Sequence, residues 1–259
     1  MLKALNTAAT GMVAQQTRID VTANNMANVN TTGFRRVRAE FQDLVYQNLR
    51  SPGGQNADGT TQPTGVQVGQ GTRIVGTMHD HAQGSLNQTG NPLDIAIEGA
   101  GFLQVRRPSG EMGYTRAGNL KTNPEGQLVT VNGFAIEPSI VIPPDAMSVT
   151  ISPDGMVSVV SAGQVESQEV GQLQLASFSN PAGLEAMGRS LFQQTSASGE
   201  PLVANAGEEG LGTFAQGFVE GSNVEVVNEM IDLITSQRAY EVNQKVIEAA
   251  DEMLRRTTR

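Results

Sequence analysis

All the prolines of this chain lie in its middle part. The first of the eleven is Pro52 and the last is Pro201, so residues 1–51 and 202–259 contain none. Proline removes a backbone hydrogen-bond donor and clashes with the preceding helical turn, so a long stretch without it is where long helices can form. The sequence therefore predicts helical segments at both ends of the chain and a non-helical region between them.

Charge follows the same division. Residues 51–220 carry six basic and sixteen acidic side chains, and the formal net charge of the chain is −9. Nucleic-acid-binding proteins normally present a basic stripe to the phosphates, so this balance argues against a nucleic-acid partner. The chain has no cysteine, which excludes disulfides, thiolate metal sites and thiol nucleophiles.

Membrane segments are not predicted. No apolar run approaches the roughly 18 residues of a membrane span, and the N-terminus lacks the continuous apolar stretch of a secretory signal peptide. We therefore expect no direct membrane insertion, and we expect any export to use a route that needs no cleavable signal peptide.

The N-terminal segment has a helical period. Apolar residues recur there at alternating steps of three and four, with one glutamine among them: Leu2, Leu5, Ala9, Met12, Gln16, Ile19, Ala23 and Met26. This spacing is typical of a helix that buries one seam against a partner helix. The polar run at residues 28–33 ends in glycine, and asparagine and glycine tolerate the left-handed conformation that closes a helix. We predict that the helix ends there.

The C-terminal segment predicts a longer helix. Ser222 and Glu225 have the spacing of a capping box, with Ser222 as the N-cap. From residue 239 onward the apolar side chains cover about half of the helix circumference. They are Ala239, Tyr240, Val242, Val246, Ile247, Ala249, Ala250, Met253 and Leu254. A two-stranded coiled coil needs a narrower seam, so this surface favours several neighbours. Packing of the helix on its own domain is the alternative.

The predicted assembly interface combines both helices. Its residues are Leu2, Leu5, Met12, Ile19, Met26, Tyr240, Val242, Val246, Ile247, Met253 and Leu254.

The middle of the chain is predicted to be β-structure. Strand patterns lie at residues 73–78, 93–97, 102–105, 127–131, 149–151, 157–160 and 171–178. Asn132-Gly133 and Asp154-Gly155 each lie between alternating runs, which is the strongest short-range hairpin signal. The predicted fold class is α+β, with N- and C-terminal helices forming a coiled-coil-like assembly layer around or below a central all-β domain.

We predict three zones. Residues 1–45 and 221–259 form the helical assembly domain, 46–92 and 200–220 a connecting extended segment, and 93–199 the outer β-rich domain.

Candidate catalytic groups are few. Histidine occurs only at His79 and His81, and no further ligand pattern accompanies this pair. Asp94 and Glu98 form an acidic pair of the kind common on solvated surfaces. We therefore predict no catalytic, cofactor-binding or metal site, and no enzymatic activity.

Long segments of the chain resemble a known family. The N-terminal "ANNMANVNTTGFRR" (23–36) and the C-terminal "GSNVEVVNEMIDLITSQRAYEVNQKVIEAADEML" (221–254) are similar to the two signatures of the bacterial flagellar axial proteins, which form the rod, the hook and hook-associated structures. Inside the chain, "FQDLVYQ", "QGSLNQTGNPLDIAIEGAGFLQV", "YTRAGNL" and "NPAGLEAMG" resemble the distal rod members of that family. The length of the chain, without a large inserted outer domain, favours rod over hook.

This resemblance implies a structural subunit of the distal rod. Such subunits self-assemble helically into a rigid drive shaft that transmits torque from motor to hook and encloses the export channel. The implied partners are further copies of the chain, proximal rod subunits, the hook protein, the P- and L-ring proteins and the flagellar type III export apparatus. The implied location is the periplasm-spanning basal body.

The resemblance also implies a rigidity segment after the N-terminal helix. In the family, a segment at this point distinguishes the straight rod from the bendable hook. Here it includes Tyr46, Pro52, Gly53, Gly54 and Pro63.

Three alternatives stay open at this point. The nearest is a proximal rod or hook subunit of the same family. A second is a glycan-acting enzyme of the cell wall with helical docking arms. The third is an amphipathic membrane binder, against which the mixed charge of the C-terminal polar face counts.

Overall fold

The computed structural model describes residues 2–50, 64–162 and 166–257, without the side chains of residues 2 and 257. The chain divides into two compact units. The first, here the helical unit, comprises Met1–Met26, Val37–Met78 and Glu225–Arg259. The second, here the β unit, comprises Ala27–Arg36 and His79–Val224. Two terminal helices and a β-rich centre make the fold α+β, which confirms the predicted class.

The helical unit contains two long helices and two short β-ribbons. The helices are α1 (Leu2–Ala27) and α2 (Val226–Thr257). The strands are β1 (Val37–Asp43), β2 (Gln47–Arg50), β3 (Val66–Val68) and β4 (Thr72–His79), and the ribbons pair β1 with β4 and β2 with β3. The proline-free N-terminal flank thus holds strands as well as a helix, because the absence of proline permits both.

The helix boundaries agree with the sequence at one end and differ at the other. α1 ends at Ala27, directly before the predicted stop, and the backbone N–H of Thr31 donates to the carbonyl of Asn28 at 3.1 Å in the turn that follows. α2 begins at Val226, so Ser222 is not its N-cap and the capping-box prediction is wrong. The Ser222 hydroxyl instead accepts a hydrogen bond from the N–H of Val224 at 3.3 Å. A serine side chain stabilises a local turn as readily as a helix start.

The β unit contains the remaining strands of the described residues. They are β5 (Leu86–Gln88), β6 (Ile95–Glu98), β7 (Phe102–Arg106), β8 (Met112–Thr115), β9 (Leu120–Thr122), β10 (Leu128–Thr130), β11 (Ala135–Glu137), β12 (Ala146–Ile151), β13 (Met156–Ser161), β14 (Gln168–Gln172), β15 (Gln174–Ser177), β16 (Glu185–Gly188), β17 (Leu191–Gln193), β18 (Leu202–Asn205), β19 (Thr213–Gln216) and β20 (Phe218–Glu220). A short 3-10 helix, Pro181–Gly183, precedes β16.

One large sheet dominates the β unit. Its strand order is β16-β17-β8-β7-β11-β10-β9, and β15 pairs with both β7 and β18. Smaller sheets are β12-β13-β14, β19-β6 and β20-β5. The predicted strand at 171–178 is divided between β14 and β15, while the other predicted strands fall on β4, β6, β7, β10, β12 and β13.

Both predicted hairpins are present. β10 pairs antiparallel with β11 across Asn132-Gly133, and β12 pairs antiparallel with β13 across Asp154-Gly155. Gly133 and Gly155 have φ values of +80° and +88°. This left-handed region favours glycine, which is why these dipeptides mark hairpins in a sequence.

The core of the β unit is aliphatic with an aromatic part beside it. Fully buried side chains such as Ile95, Leu103 and Leu175 belong to one continuous cluster. A second cluster contains Phe102, Tyr114, Phe178 and Phe192, together with Ala176 and Leu184.

Candidate assembly surfaces

The two terminal helices pair antiparallel within the helical unit. A Cβ atom added at Gly11 would lie 3.0 Å from the Asn243 side-chain nitrogen, and the Asn25 amide contacts Glu229. Residue numbers rise along α1 while those of their partners fall along α2, so the helices run in opposite directions. Arg18 Nη2 lies 2.7 Å from Asp232 Oδ1, an ion pair between the same two helices.

The fully buried side chains of these two helices are small or polar. Among the described residues of α1 and α2 they are Ala8, Ala14, Thr22, Asn25, Glu229, Ser236 and Ala250. No large aliphatic side chain of the described part of either helix is fully buried. Since hydrophobic stabilisation grows with the apolar area removed from water, alanines contribute little to this pairing. The pairing of α1 with α2 therefore leaves the large apolar residues of the described helices at least partly accessible.

The large apolar side chains of α2 are instead exposed in its N-terminal half. Between 41% and 64% of the surface of each of five residues is accessible: Val226, Val227, Met230, Ile231 and Ile234. At 100° per residue they span about 140° of the circumference, one continuous face. The predicted apolar stripe of α2 began at residue 239 and did not include this face. The pattern of apolar residues at 226, 227, 230, 231 and 234 carries the signal.

The predicted interface residues fall into two groups on α2. Tyr240, Val242, Val246 and Met253 are exposed, whereas Ile247 and Leu254 are half-buried beside the buried Ala250. The predicted half-cylinder thus includes the inner edge that faces α1 and an outer edge that faces solvent. On α1, Leu5, Met12, Ile19 and Met26 are all half-buried, and the side chain of Leu2 lies outside the described residues. Their role in assembly stays a prediction.

Only part of the predicted rigidity segment lies in the described residues. Tyr46 is half-exposed just before β2. Pro52, Gly53, Gly54 and Pro63 lie outside the described residues. The flanking β2-β3 ribbon exposes Leu49, Val66 and Val68 on its surface.

A buried ionic cluster ties the N-terminal signature to the end of the β unit. The Glu220 carboxylate is fully buried and is shared by Arg35, at 2.8 Å, and Arg116, at 3.2 Å. Its Oε1 atom also accepts the N–H of Gly84 at 2.9 Å. Burial lowers the pKa of Arg116 to about 10, while the charge of Glu220 opposes this shift. We call Arg35, Arg116 and Glu220 the ionic cluster.

Asn223 makes a second connection in the same region of the β unit. Its Oδ1 accepts the N–H of Arg36 at 2.6 Å, and its Nδ2 donates to the carbonyls of Asp80 and Ala82 at 2.8 and 3.0 Å. One amide side chain therefore bridges segments that lie far apart in sequence. Residues of both signature segments hold the β unit together here.

The two histidines lie beside the ionic cluster and against aromatic rings. The His81 ring centroid is 5.7 Å from that of Phe102 and 6.4 Å from that of His79. Burial, followed by the positive charges of Arg35, His79 and Arg116, lowers the pKa of His81 to about 4. Burial also lowers the pKa of His79, opposed by a hydrogen bond with the Arg35 backbone. Both imidazoles are therefore neutral at pH 7.

Two further kinds of feature are absent from the described residues. No group of three or more His, Cys, Asp or Glu side chains in this part of the chain is arranged to hold a metal ion. No described helix is long and apolar enough to cross a membrane.

Three family descriptions match different parts of the chain. "Flagella basal body rod protein" matches residues 5–35, which contain most of α1 and the N-terminal signature. "Flagellar hook protein FlgE/F/G D1 domain" matches residues 96–159 in the β unit. "Flagellar basal body rod FlgEFG protein C-terminal" matches residues 215–259, which contain α2.

Similar curated proteins cover the chain from end to end. The flagellar basal-body rod protein FlgG of Caulobacter vibrioides is 50% identical over 99% of this chain and 98% of its own length. FlgG of Buchnera aphidicola subsp. Baizongia pistaciae is 45% identical with the same coverage. The flagellar hook-basal body complex protein FlhP of Bacillus subtilis is 31% identical over 98% of this chain and 97% of its own length. With its paired terminal helices and central β unit, this chain belongs to the FlgG family of flagellar basal-body rod proteins.

Proposed function

We propose that this chain is a structural subunit of the flagellar distal rod and has no enzymatic activity. It assembles helically with further copies into the rigid shaft that transmits torque from motor to hook and encloses the export channel. The observation that carries the proposal is the exposed apolar face of α2 at residues 226–234, which the described part of the chain leaves uncovered. The higher identity to FlgG proteins than to FlhP supports a rod subunit.

The exposed face is large enough to matter energetically. Full burial of one valine, isoleucine or methionine side chain contributes about 1.5–3 kcal/mol. The five residues are each about half exposed, so covering them with neighbouring copies contributes roughly 4–8 kcal/mol per subunit. The predicted residues Val242, Val246 and Met253 extend the same kind of surface toward the end of α2.

Three zones carry the proposed roles. Residues 1–45 and 221–259 form the inner assembly layer, 46–92 and 200–220 connect, and 93–199 face outward. Family membership supports assembly with other flagellar rod and hook proteins. The proximal rod below, the hook protein above, the surrounding P- and L-ring proteins and the type III export apparatus complete the proposed set of partners.

The segment around the β2-β3 ribbon is proposed to stiffen the shaft. An isolated two-stranded ribbon is marginally stable in water at best. The β2-β3 ribbon exposes apolar side chains, so contact with a neighbouring subunit would stabilise it. We propose that this ribbon and residues 46–63 brace adjacent subunits.

The test is a charge placed on the exposed face. Ile231→Asp should abolish rod formation, because its carboxylate must be desolvated at every repeated contact, at a cost of several kcal/mol. Lys245→Asp introduces the same side chain at an exposed polar position of α2 and should be tolerated. Rods are counted by electron microscopy in cells that express each variant as the sole copy. Normal rods from Ile231→Asp, or equal loss from both variants, would contradict the proposed surface.

A further inference from the structure

Apolar packing does little to hold α1 and α2 in one register. Their buried contacts include Ala8, Ala14 and Ala250, and seam positions recur on α2 every seven residues, at 229, 236, 243 and 250. Because the fully buried apolar side chains of the two helices are all alanines, a shift by seven residues would change apolar burial little. Within the helix pair, the register is therefore specified by side chains that are not interchangeable along the seam.

Asn25 and Glu229 are such side chains. Each is only 1% exposed, and Asn25 Nδ2 donates to Glu229 Oε2 at 3.1 Å. The Asn25 amide also donates to the carbonyl of Val37 at 2.8 Å and accepts the N–H of Val37 at 2.9 Å. The end of α1, the start of β1 and the first turns of α2 thus meet at one buried amide.

We infer that Asn25 and Glu229, here the register pair, determine the axial register of α1 against α2. A displaced register would separate a buried carboxylate from its amide donor, and a buried polar group that loses its partner is costly. A single buried asparagine is known to specify register in helix pairs. The register in turn determines which residues of each helix face outward, so this inference rests on the proposed assembly role.

Arg18 and Asp232 support the same register from the surface. Their ion pair is partly exposed, with 40% and 31% of the two side chains accessible. Exposed pairs contribute little to stability. This pair therefore follows the register that the buried Asn25 and Glu229 specify.

The absence of cysteine makes the register directly measurable. In the full-length chain, Gly11→Cys with Asn243→Cys reports the observed register, since a Cβ at residue 11 lies 3.4 Å from Asn243 Cγ. Gly11→Cys with Ser236→Cys, and with Ala250→Cys, report shifts of one heptad in either direction. The measurement is the ratio of disulfide formed by the 11–243 pair to that formed by each shifted pair, under mild oxidation.

We expect this ratio to fall about tenfold or more in Glu229→Ala and in Asn25→Ala, because each change removes the charged hydrogen bond that the two side chains share. In the Asn25→Ala background the shared hydrogen bond is already lost, so the double variant should fall by less than the sum of the two single losses. Glu229→Gln keeps an acceptor for the Asn25 amide and should lower the ratio less than Glu229→Ala does. Glu241→Ala, at an exposed position of α2, is the matched control and should leave it unchanged.

Several results would overturn the inference. They are a ratio unchanged by Glu229→Ala, additive losses in the double variant, equal loss in Glu229→Gln, or no 11–243 disulfide in the otherwise unaltered chain. This experiment tests the register independently of the proposed function, because the disulfide ratio is measured on the purified chain and does not require rods to form. A register that shifts in variants which still form normal rods would uphold the inference and contradict its link to assembly.

Discussion

Replacing Glu220 by alanine should destabilise the β unit more than any surface substitution. The change leaves the guanidinium groups of Arg35 and Arg116, 1% and 4% exposed, without the carboxylate they share. It also removes the acceptor for the Gly84 N–H. Breaking a buried ion pair by removing one partner costs about 3–5 kcal/mol, because the remaining charge is buried and uncompensated. For a unit of this size that corresponds to a fall in Tm of roughly 6–20 °C.

The assay uses the tyrosines, since the chain has no tryptophan and only three tyrosines. Tyr114 is buried in the aromatic cluster, with its ring centroid 4.7 Å from that of Phe178. In a background of Tyr46→Phe and Tyr240→Phe, tyrosine fluorescence therefore reports unfolding of the β unit alone. Thermal and urea transitions are compared between Glu220→Ala and the background chain.

Two further variants make the result decisive. Glu137→Ala removes the carboxylate of an exposed pair with Arg106 and should cost at most about 1 kcal/mol. Glu220→Gln retains an acceptor oxygen and should lie between the two. If Glu220→Ala destabilises the β unit no more than Glu137→Ala does, the ionic cluster does not stabilise the fold in the way described.

Two other predictions concern pH and stiffness. The pKa of His81 is about 4 in the folded chain, against an ordinary value of 6.5. Between these two pH values the unfolded state binds more protons than the folded state does. The stability of the folded chain should therefore fall as the pH drops from about 6.5 to about 4. After discounting for the partial exposure of His81, the loss of unfolding free energy is at most about 2 kcal/mol. The measurement compares the pH dependence of stability in the parent chain and in His81→Gln, and equal pH profiles would refute the prediction. Deleting residues 53–62 should leave the Tm of the β unit nearly unchanged, since loop-closure entropy varies slowly with length, but should give curved or flexible rods in electron micrographs. Straight rods of unchanged stiffness would make the segment a passive linker.

Local sequence chemistry was enough to predict much of the fold. Asn132-Gly133 and Asp154-Gly155 mark hairpins because their backbone conformation depends on the residue type itself. The end of α1 at Ala27 follows from the polar run after it for the same reason. The capping-box prediction at Ser222 was wrong because a serine hydroxyl can accept a backbone N–H in a short turn before a helix as well as in the first turn of the helix itself.

The periodicity of α2 predicted an apolar surface but not which part of it is internal. Helical spacing places Ile247, Ala250 and Val246 on neighbouring parts of the circumference, yet only Ala250 is fully buried. The difference depends on what the tertiary structure packs against each position, as Gly11 of α1 packs against Asn243. No pattern within α2 contains that information.

The sequence by itself determined the fold class, the positions of the terminal helices and the family, because these depend on proline placement, local periodicity and long matching segments. Only the tertiary structure brought Arg35, Arg116 and Glu220 to one buried point, and only it paired Asn25 with Glu229. Charged and amide residues are common on surfaces, so their presence in a sequence predicts no partner. Burial excludes water from them, and a buried polar group is then stable only with the particular partner that the fold supplies.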